Sequence, residues 1–372
     1  MKSFKIVICI LAIAFSFSGC MPTQNLSHLT VVQGIGIDLS KSETRITIQY
    51  LNLSKTGGTQ ALNGNITAVA DGNAKNISDA LSSASKTLSK KVFFGQNKII
   101  VFGSDYVKEH MTDGLNYLFR SVDGRPDVLV AMSDKKAEDI IRNKERESRI
   151  PAQTVYDLLE IGEANGLGAT VTVNEALNMY SNPTSDLYFP VLTSNETNVA
   201  CKGIAVFSKE KYADTLNAYE SFGFLFINNK IDGGTLLVSD SQMGIIGLEI
   251  ISSDTKKSVS VKGGEITFNC DVSATLVINE LENGFSESLD QSKINKIEVL
   301  SKKRIKSMCT KAFEKCVKSK SDPYMIGRYL AKADGKYYDK VKDNWRGQLS
   351  SVKFNIRVDT QVKKVNDNSR RQ

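Results

Sequence analysis

The sequence predicts a mixed α+β protein that folds into more than one domain, and three features support this fold class. Helical stripes alternate with short apolar runs between residues 29 and 199, which indicates sheets with helices packed on them. A second cycle of strands and helices begins near residue 200. A long amphipathic helix, rich in lysine and arginine, is predicted within this second part of the chain.

The first residues have the pattern of a bacterial secretory signal. Lys2 and Lys5 precede an apolar run of 12 residues, Ile6–Phe17. A bilayer span needs about 20 residues, so we expect a signal peptide over residues 1–19 rather than an uncleaved anchor. Cys20 follows directly, an arrangement that resembles the bacterial lipoprotein box, and we predict an N-terminal diacylglyceryl cysteine there. The alternative is an ordinary signal peptide whose cleavage site contains a cysteine.

The mature chain is long enough for two or three domains. Hydrophobic residues make up 41% of the sequence and charged residues 24%, which supports packed cores and argues against global disorder. The formal net charge is +7 and falls by two with the signal peptide, a surplus too small to indicate a partner class by itself. Residues 20–28 are predicted to be a lipid-anchored tether, and residues 367–372 a tail.

Residues 29–199 are predicted to form an N-terminal α+β region of two subdomains. Asn76 can cap one helix, and Pro151 occupies a favoured first-turn position in another. We predict strands over residues 29–38, 45–53, 66–70, 98–102 and 127–132. We predict helices over residues 76–90, 105–120, 135–143, 151–164 and 174–180. The rest of the segment 165–199 is predicted to be irregular.

Gly34 and Gly36 lie in the first predicted strand and suggest a dinucleotide-binding loop. The third position of that fingerprint is Leu39, and no helix pattern begins there, so this interpretation fails. We expect instead that the two glycines admit a close neighbouring strand.

Residues 200–366 are predicted to form a C-terminal α+β domain. We predict strands over residues 203–207, 235–238, 245–251, 258–261, 266–278 and 352–358. We predict helices over residues 214–226, 288–318 and 326–330. The strand at 266–278 alternates polar and apolar residues, so one of its faces is expected to be wet. Trp345, the only tryptophan, is predicted to be buried between the last strand and the preceding helices.

The sequence shows no pattern of a catalytic, cofactor or metal site. It contains no glycine-rich phosphate loop, no G-x-S-x-G and no H-E-x-x-H. The two histidines, His28 and His110, offer few acid–base arrangements, and His110 is expected on a helix surface. Beyond Cys20, the cysteines of the mature chain form no C-x-x-C pair, and Cys309 and Cys316 lie roughly 10 Å apart along one helix. We therefore expect free, buried thiols and no enzyme.

The long predicted helix carries most of the positive charge. Ten basic residues and two acidic ones lie between residues 293 and 320. One interpretation is a solvated face whose lysines cover an amphipathic stripe. The other is contact with anionic lipid headgroups, made by Lys302, Lys303, Arg304 and Lys306. A nucleic-acid partner would need stacking aromatic residues among these lysines, and the predicted export across a membrane argues against one, so we expect none.

Several short stretches, taken in order along the chain, are similar to one known family. In the N-terminal half they are Gly34–Asp38, Phe93–Val101, and Arg120 followed by Pro126–Ala131. In the C-terminal half they are Gly203–Phe207, Ala218–Ser221, Asp322–Gly327 and Asn344–Trp345. Their order and spacing resemble the Ger(x)C family, the C subunits of spore germinant receptors, over essentially the whole mature chain.

The resemblance implies a three-domain α+β body without catalytic residues. It implies a lipid anchor at the inner membrane of a spore, on the extracytoplasmic side, and two partners, the membrane-spanning A and B subunits. The predicted function is therefore that of a non-enzymatic lipoprotein subunit of a nutrient germinant receptor, with no cofactor. The alternative is a solute-binding lipoprotein of a transporter, but such proteins have repeated doubly wound lobes that this pattern does not show.

Overall fold

The computed structural model describes residues 29–52, 66–120, 125–143, 149–195, 198–282 and 290–363. Within these residues, helices pack against two β-sheets, and the predicted α+β class is confirmed. The predicted signal peptide, tether and tail lie outside the described residues, and so does Cys20.

The first sheet is built around the strand that begins the described chain. Its strands are β1 (Leu29–Ser40), β2 (Glu43–Leu51), β3 (Thr67–Ala74), β4 (Lys91–Phe93), β5 (Ile99–Phe102), β6 (Leu129–Ser133), β7 (Tyr188–Ser194), β8 (Val199–Ser208) and β9 (Lys211–Leu216). Their order across the sheet is β3-β2-β1-β5-β6-β7-β8-β9, and β4 pairs with the start of β1. The centre is parallel from β1 through β5 and β6 to β7, and the pairs β1–β2 and β7–β8 are antiparallel.

Helices cover both faces of this sheet. They are α1 (Ile77–Ser85), α2 (Ser104–Arg120), α3 (Ala137–Ile141), α4 (Pro151–Ala164) and α5 (Val173–Ser181). The buried residues of α1, α2 and α5 share a core with one face of β5 and β6, and those of α3 and α4 with the other face. Because both faces of these central strands are buried, their sequences are continuous apolar runs rather than alternating patterns.

Gly34 and Gly36 admit helices, not the neighbouring strand that the sequence analysis expects. A Cβ atom at residue 34 would lie 2.9 Å from Cβ of Ala152 in α4. A Cβ atom at residue 36 would lie 3.1 Å from Cγ1 of Ile141 in α3. The expectation is wrong because these two helices pack directly onto this part of β1.

The second sheet is antiparallel except at one edge. Its strands, in order across the sheet, are β10 (Thr235–Asp240), β11 (Gly244–Lys262), β12 (Glu265–Leu281) and β13 (Lys353–Lys363). The last pair, β12–β13, is parallel. The remaining helices are α6 (Ala218–Ile227), α7 (Gln291–Lys318), α8 (Ile326–Ala333), α9 (Gly335–Val341) and α10 (Trp345–Gln348), with 3-10 turns at Lys342–Asn344 and Leu349–Ser351. The long helix α7 contacts β10 and β13.

Two strands of the structure, β7 and β11, differ from the sequence prediction. The segment predicted to be irregular contains β7, whose buried run lacks alternation and includes Pro190, a residue usually confined to sheet edges. The strands predicted at 245–251 and 258–261 are one long strand, β11. The residues between the two predicted strands, 252–257, are all polar, which is why the sequence suggests two separate strands. Shifts of register near Gly247 and Ile250 also disturb the alternation within β11.

The helix predicted from residue 214 begins at Ala218 instead. Asn217 caps it by accepting a hydrogen bond from the backbone N–H of Glu220 at 3.0 Å, and the Glu220 carboxylate accepts one from the Asn217 N–H at 2.8 Å. This reciprocal pair is a capping box, which fixes the start of the helix. The residues before it form β9.

The first sheet continues across residue 200. Strands β8 and β9 extend it with residues that the sequence analysis assigns to the C-terminal domain. Helix α6 then packs so closely on α7 that a Cβ atom at Gly223 would lie 2.2 Å from the carbonyl oxygen of Met308. The core is continuous across the two halves, and the division into regions 29–199 and 200–366 stays a prediction.

Candidate functional site

Helix α7 is the long basic helix that the sequence predicts. Asp290 caps its start by accepting a hydrogen bond from the backbone N–H of Lys293 at 2.8 Å. Its buried stripe consists of Ile294, Ile297, Ser301, Ile305, Met308, Cys309, Ala312, Phe313 and Cys316. Most of its cations lie on the remaining faces, so the polar side of the helix can meet solvent, lipid or another protein.

The four cations selected from the sequence point in different directions. Lys302 Nζ lies 2.8 Å from Asp359 Oδ1 of β13, on one side of the helix. The Arg304 guanidinium lies 4.5 Å from the ring centroid of Tyr219 of α6, on the other side. Lys303 and Lys306 are exposed between them. The structure therefore spreads these charges around the part of α7 that is not buried and does not gather them at one point.

The cysteines of the described chain are free thiols, as predicted. Cys270, Cys309 and Cys316 are buried, whereas Cys201 is half-buried. Burial raises the pKa of Cys270 and of Cys316 to about 12, because an apolar environment disfavours the thiolate. These thiols are poor nucleophiles, and they fill space in the core as small hydrophobic side chains.

Asp38, at the end of the first stretch that resembles the family, caps a helix. Its carboxylate accepts hydrogen bonds from the backbone N–H groups of Ala137 at 2.7 Å and Glu138 at 2.9 Å, at the start of α3. Gly103 leaves the space that this carboxylate needs, since a Cβ atom there would lie 2.0 Å from Asp38 Oδ1. Burial raises the pKa of Asp38 to about 6, although the two hydrogen bonds act in the opposite direction. The residue positions α3 on β1.

Asp322 organises the turn that follows α7. Its carboxylate is fully buried and accepts hydrogen bonds from the backbone N–H of Ile326 at 2.9 Å and of Gly327 at 3.0 Å. Its Oδ2 also accepts a hydrogen bond from Nε1 of Trp345 at 2.9 Å. A Cβ atom at residue 327 would lie 2.4 Å from the Thr184 side chain, so only glycine fits there. The D-x-x-x-x-G stretch and the late tryptophan thus form one structural corner.

A second carboxylate, Asp186, ties this corner to the first half of the chain. Asp186 Oδ2 accepts a hydrogen bond from the backbone N–H of Asp322 at 2.8 Å, and Oδ1 accepts one from the N–H of Lys209 at 2.7 Å. Arg346 also donates to Oδ1, through Nε at 3.1 Å. Burial is the main reason that the pKa of Asp322 is raised to about 7, and the Asp186 charge adds to it. Asp186 and Arg346 cannot be predicted from the sequence, because no local pattern links residues so far apart.

The acidic residues and the histidine considered as candidate catalytic groups lie on the surface of one helix. Among the described residues there is no group of three or more His, Cys, Asp or Glu that could hold a metal ion. His110 lies half-exposed on α2, with Nδ1 3.3 Å from Asp113 Oδ2, and Asp105 and Glu109 are exposed on the same helix. Within the described ranges, no helix has the length and apolar character needed to cross a membrane.

Comparison with known proteins relates both halves of the chain to one family. The sequence model described as spore germination protein N-terminal domain matches residues 22–194. The model described as spore germination B3/GerAC like, C-terminal matches residues 202–366. The break between the two matches, residues 195–201, falls at the start of β8.

Individual relatives are similar along nearly their whole length. Spore germination protein KC of Bacillus subtilis (strain 168) is 23% identical, with 96% of each chain covered. Spore germination protein GerQC of Bacillus cereus is 21% identical, with 92% of this chain and 94% of that protein covered. The crystal structure of the GerBC protein matches with a TM-score of 0.59 at 17% identity, over 88% of this chain and 96% of that one, which shows a shared fold. The chain therefore belongs to the Ger(x)C family of spore germination proteins.

Proposed function

We propose that this protein is a non-enzymatic, lipid-anchored subunit of a nutrient germinant receptor. The observation that carries the proposal is the match of both family domains from residue 22 to residue 366. Similar proteins are named as spore germination proteins, among them B3, matched over 92% of this chain, and A3, matched over 70%. Its partners would be the membrane-spanning A and B subunits, at the extracytoplasmic side of the spore inner membrane.

A role in assembly rather than in turnover fits the use of the motif residues. Asp38 and Asp322, which belong to stretches that resemble the family, accept backbone hydrogen bonds at helix starts and turns. Trp345 packs against the same corner as Asp322. The carboxylates of Asp38 and Asp322 are occupied by backbone and indole donors and hold the fold, which fits a scaffold.

The proposal is tested by deletion and complementation in the spore-forming host. Spores that lack the gene should form normally but germinate more slowly with particular nutrients, because the receptor is incomplete. Germination by high pressure, which bypasses receptors, should persist. The wild-type gene should restore the nutrient response. Normal germination with every nutrient, or hydrolysis of peptidoglycan or of a nutrient by the purified protein, would overturn the assignment.

We also propose that α7 contacts anionic headgroups, with Lys302 and Lys306 as the main residues of the group that includes Lys303 and Arg304. Each cation near an anionic surface contributes about 1 kcal/mol, and the exposed Lys302–Asp359 ion pair is weak enough to exchange. Sedimentation with vesicles of phosphatidylglycerol and phosphatidylcholine measures this contact. Lys302→Glu combined with Lys306→Glu should reduce binding to the anionic vesicles and leave binding to the neutral ones unchanged. If the double variant binds anionic vesicles as strongly as the wild type does, the helix face is only solvated.

A further inference from the structure

A groove lies between the edge strand β10 and the basic helix α7. Its volume is about 440 Å³, and β10, β11, α6 and α7 all contribute to it. The side chains that shape it are Tyr219, Leu237, Ile245, Leu300, Lys303 and Arg304. It therefore combines an apolar side, a cationic side and the backbone of a strand.

Strand β10 is an open edge within the described part of the chain. It pairs with β11 on one side, and no described strand pairs with it on the other. Every second residue of such a strand directs its N–H and C=O outward, and proteins usually protect these groups with charges or proline. The only charged residue of β10 is Asp240 at its end, where Lys296 Nζ lies 2.7 Å away. The middle of the strand carries Leu237, which is 54% exposed.

The two faces of β10 differ in chemistry. Leu236 and Val238 are buried on the face that α7 covers. Lys303 and Arg304 border the groove on this inner side. The outer face carries Leu237 and Ile245, the second of which is 52% exposed. A strand added beside β10 would alternate its side chains between the cations of α7 and this apolar pair, because successive residues of a strand point to opposite faces.

The charges around the groove favour an acidic partner. Arg304 and Lys311 share the Tyr219 ring, at 4.5 Å and 5.1 Å from its centroid, so the inner side is cationic. Two carboxylates at the groove have partners, since Asp240 pairs with Lys296 and Glu282 Oε2 accepts a hydrogen bond from the N–H of Ile245 at 2.7 Å. Glu249 and Glu280 are exposed on the outer face, where the apolar side chains of an added strand would lie, and not on the cationic side. A second copy of this chain would bring a second set of the same cations to the edge, which disfavours self-pairing.

We propose that this groove binds an extended acidic segment of a partner protein as an added strand beside β10. Acidic side chains of that segment pair with Lys303 and Arg304, and the intervening apolar side chains cover Leu237 and Ile245. Backbone hydrogen bonds to the open edge supply affinity, and the alternation of acidic and apolar residues supplies specificity. The inference does not depend on the receptor assignment, because it follows from the groove alone.

A peptide of matching pattern tests the proposal on the full-length protein in detergent. The probe is a fluorescent, end-blocked hexapeptide of alternating glutamate and valine, followed by fluorescence anisotropy. We expect saturable binding that weakens as salt rises. A lysine–valine peptide should not bind. The glutamate–valine peptide N-methylated at every residue should not bind either, because it cannot donate a backbone hydrogen bond to β10 in either strand direction.

Two double variants with the same charge change locate the site. Lys303→Gln with Arg304→Gln should weaken peptide binding roughly fivefold or more, as expected for the loss of two ion pairs. Lys302→Gln with Lys306→Gln removes equal charge from the outward side of α7 and should change binding by less than about twofold. Leu237→Glu, an exposed substitution at the middle of the edge, removes the apolar contact and repels the glutamates of the peptide. It should abolish binding while circular dichroism stays that of the wild type.

Five outcomes would overturn the proposal. Failure of the hexapeptide to bind would remove its basis. Equal binding of the N-methylated peptide, or an equal loss in both double variants, would mean attraction by net charge without strand addition. Binding of anionic vesicles that depends on Lys303 and Arg304 and displaces the peptide would make the groove a lipid contact. A concentration-dependent dimer that Leu237→Glu abolishes would make a second copy the occupant.

Discussion

The carboxylate of Asp322 connects three segments that are distant in the sequence. It fixes the turn into α8 by accepting two backbone hydrogen bonds, and it accepts a third from the indole of Trp345. The backbone N–H of Asp322 donates to Asp186, next to β7. Each of these contacts needs a particular residue type: an acceptor pair at 322, a donor at 345 and a glycine at 327. The stretch Asp322–Gly327 and Trp345, both of which resemble the family, therefore have structural roles.

We expect Asp322 to make unfolding depend on pH. Its pKa is about 7 in the folded protein, against an ordinary value of 3.8. Because the folded state holds this proton more tightly than the unfolded state, the stabilisation is complete below about pH 4 and is lost as the pH rises through 7. Relative to Asp322→Asn, the free energy of unfolding of the wild type should fall by roughly 2–4 kcal/mol between these limits. Urea unfolding at several pH values measures this difference, and parallel curves for the two proteins would contradict it.

Trp345 reports on the same corner, and its predicted burial is confirmed at 1% exposure. Trp345→Ala should lower the free energy of unfolding by about 3–5 kcal/mol, the usual effect of emptying a large aromatic site. Trp345→Phe keeps most of the packing but removes the hydrogen bond to Asp322, so it should cost only about 1–3 kcal/mol. Since this is the only tryptophan, its fluorescence is unambiguous. An emission maximum typical of solvent-exposed indole in the native protein would contradict the burial.

At the scale of elements, two helices lie on the first sheet only because β1 lacks side chains at two positions. Gly34→Ala would place a Cβ atom 2.9 Å from that of Ala152, and neither methyl group can rotate away. We expect a loss of about 1–3 kcal/mol in unfolding free energy as α4 is displaced. Gly335→Ala is the matched control, because no atom lies within 4 Å of its new Cβ. It should be neutral or stabilising by about 0.4–1 kcal/mol, and equal losses in both variants would argue against the packing explanation.

The sequence predicts those elements whose signal is local. Helix α4 follows the prediction from Pro151 to Ala164, since a proline at the first turn and an apolar stripe mark it. The strand β7 escapes prediction, because burial on both faces removes alternation and Pro190 suggests a loop. Helix α6 starts at Ala218 and not at residue 214, because Asn217 and Glu220 form a capping box there.

The candidate site divides in the same way. The basic character of α7 is readable from composition, whereas the direction of each cation depends on partners from other elements. Asp359 of β13 draws Lys302 to one side, and Tyr219 of α6 draws Arg304 to the other. The groove beside β10 could not be predicted, because it requires the strand order of the second sheet and the placement of α7 across it.

For the whole molecule, the proposed anchor decides where the fold can act. The predicted lipid site, Cys20, lies just before the first residue matched by the family model, at residue 22. A single acyl chain binds membranes only marginally, but a diacylglyceryl group supplies two chains and holds a protein firmly. With the anchor, the described body is confined to the membrane surface, where α7 and the groove could meet headgroups and membrane-bound partners.

Cys20→Ala should separate anchoring from folding. Incorporation of labelled fatty acid should disappear, and the protein should move from the membrane fraction to the soluble fraction, because the remaining headgroup contacts of about 1 kcal/mol each are too weak to hold it. The thermal unfolding of the released protein should match that of the wild type, since the predicted tether over residues 20–28 separates Cys20 from β1. Spores carrying the variant should form normally and show the slow nutrient response of the deletion. Retained label in the variant would contradict lipid attachment at this residue, whereas a released protein that still supports germination at the wild-type rate would show that assembly does not need the anchor.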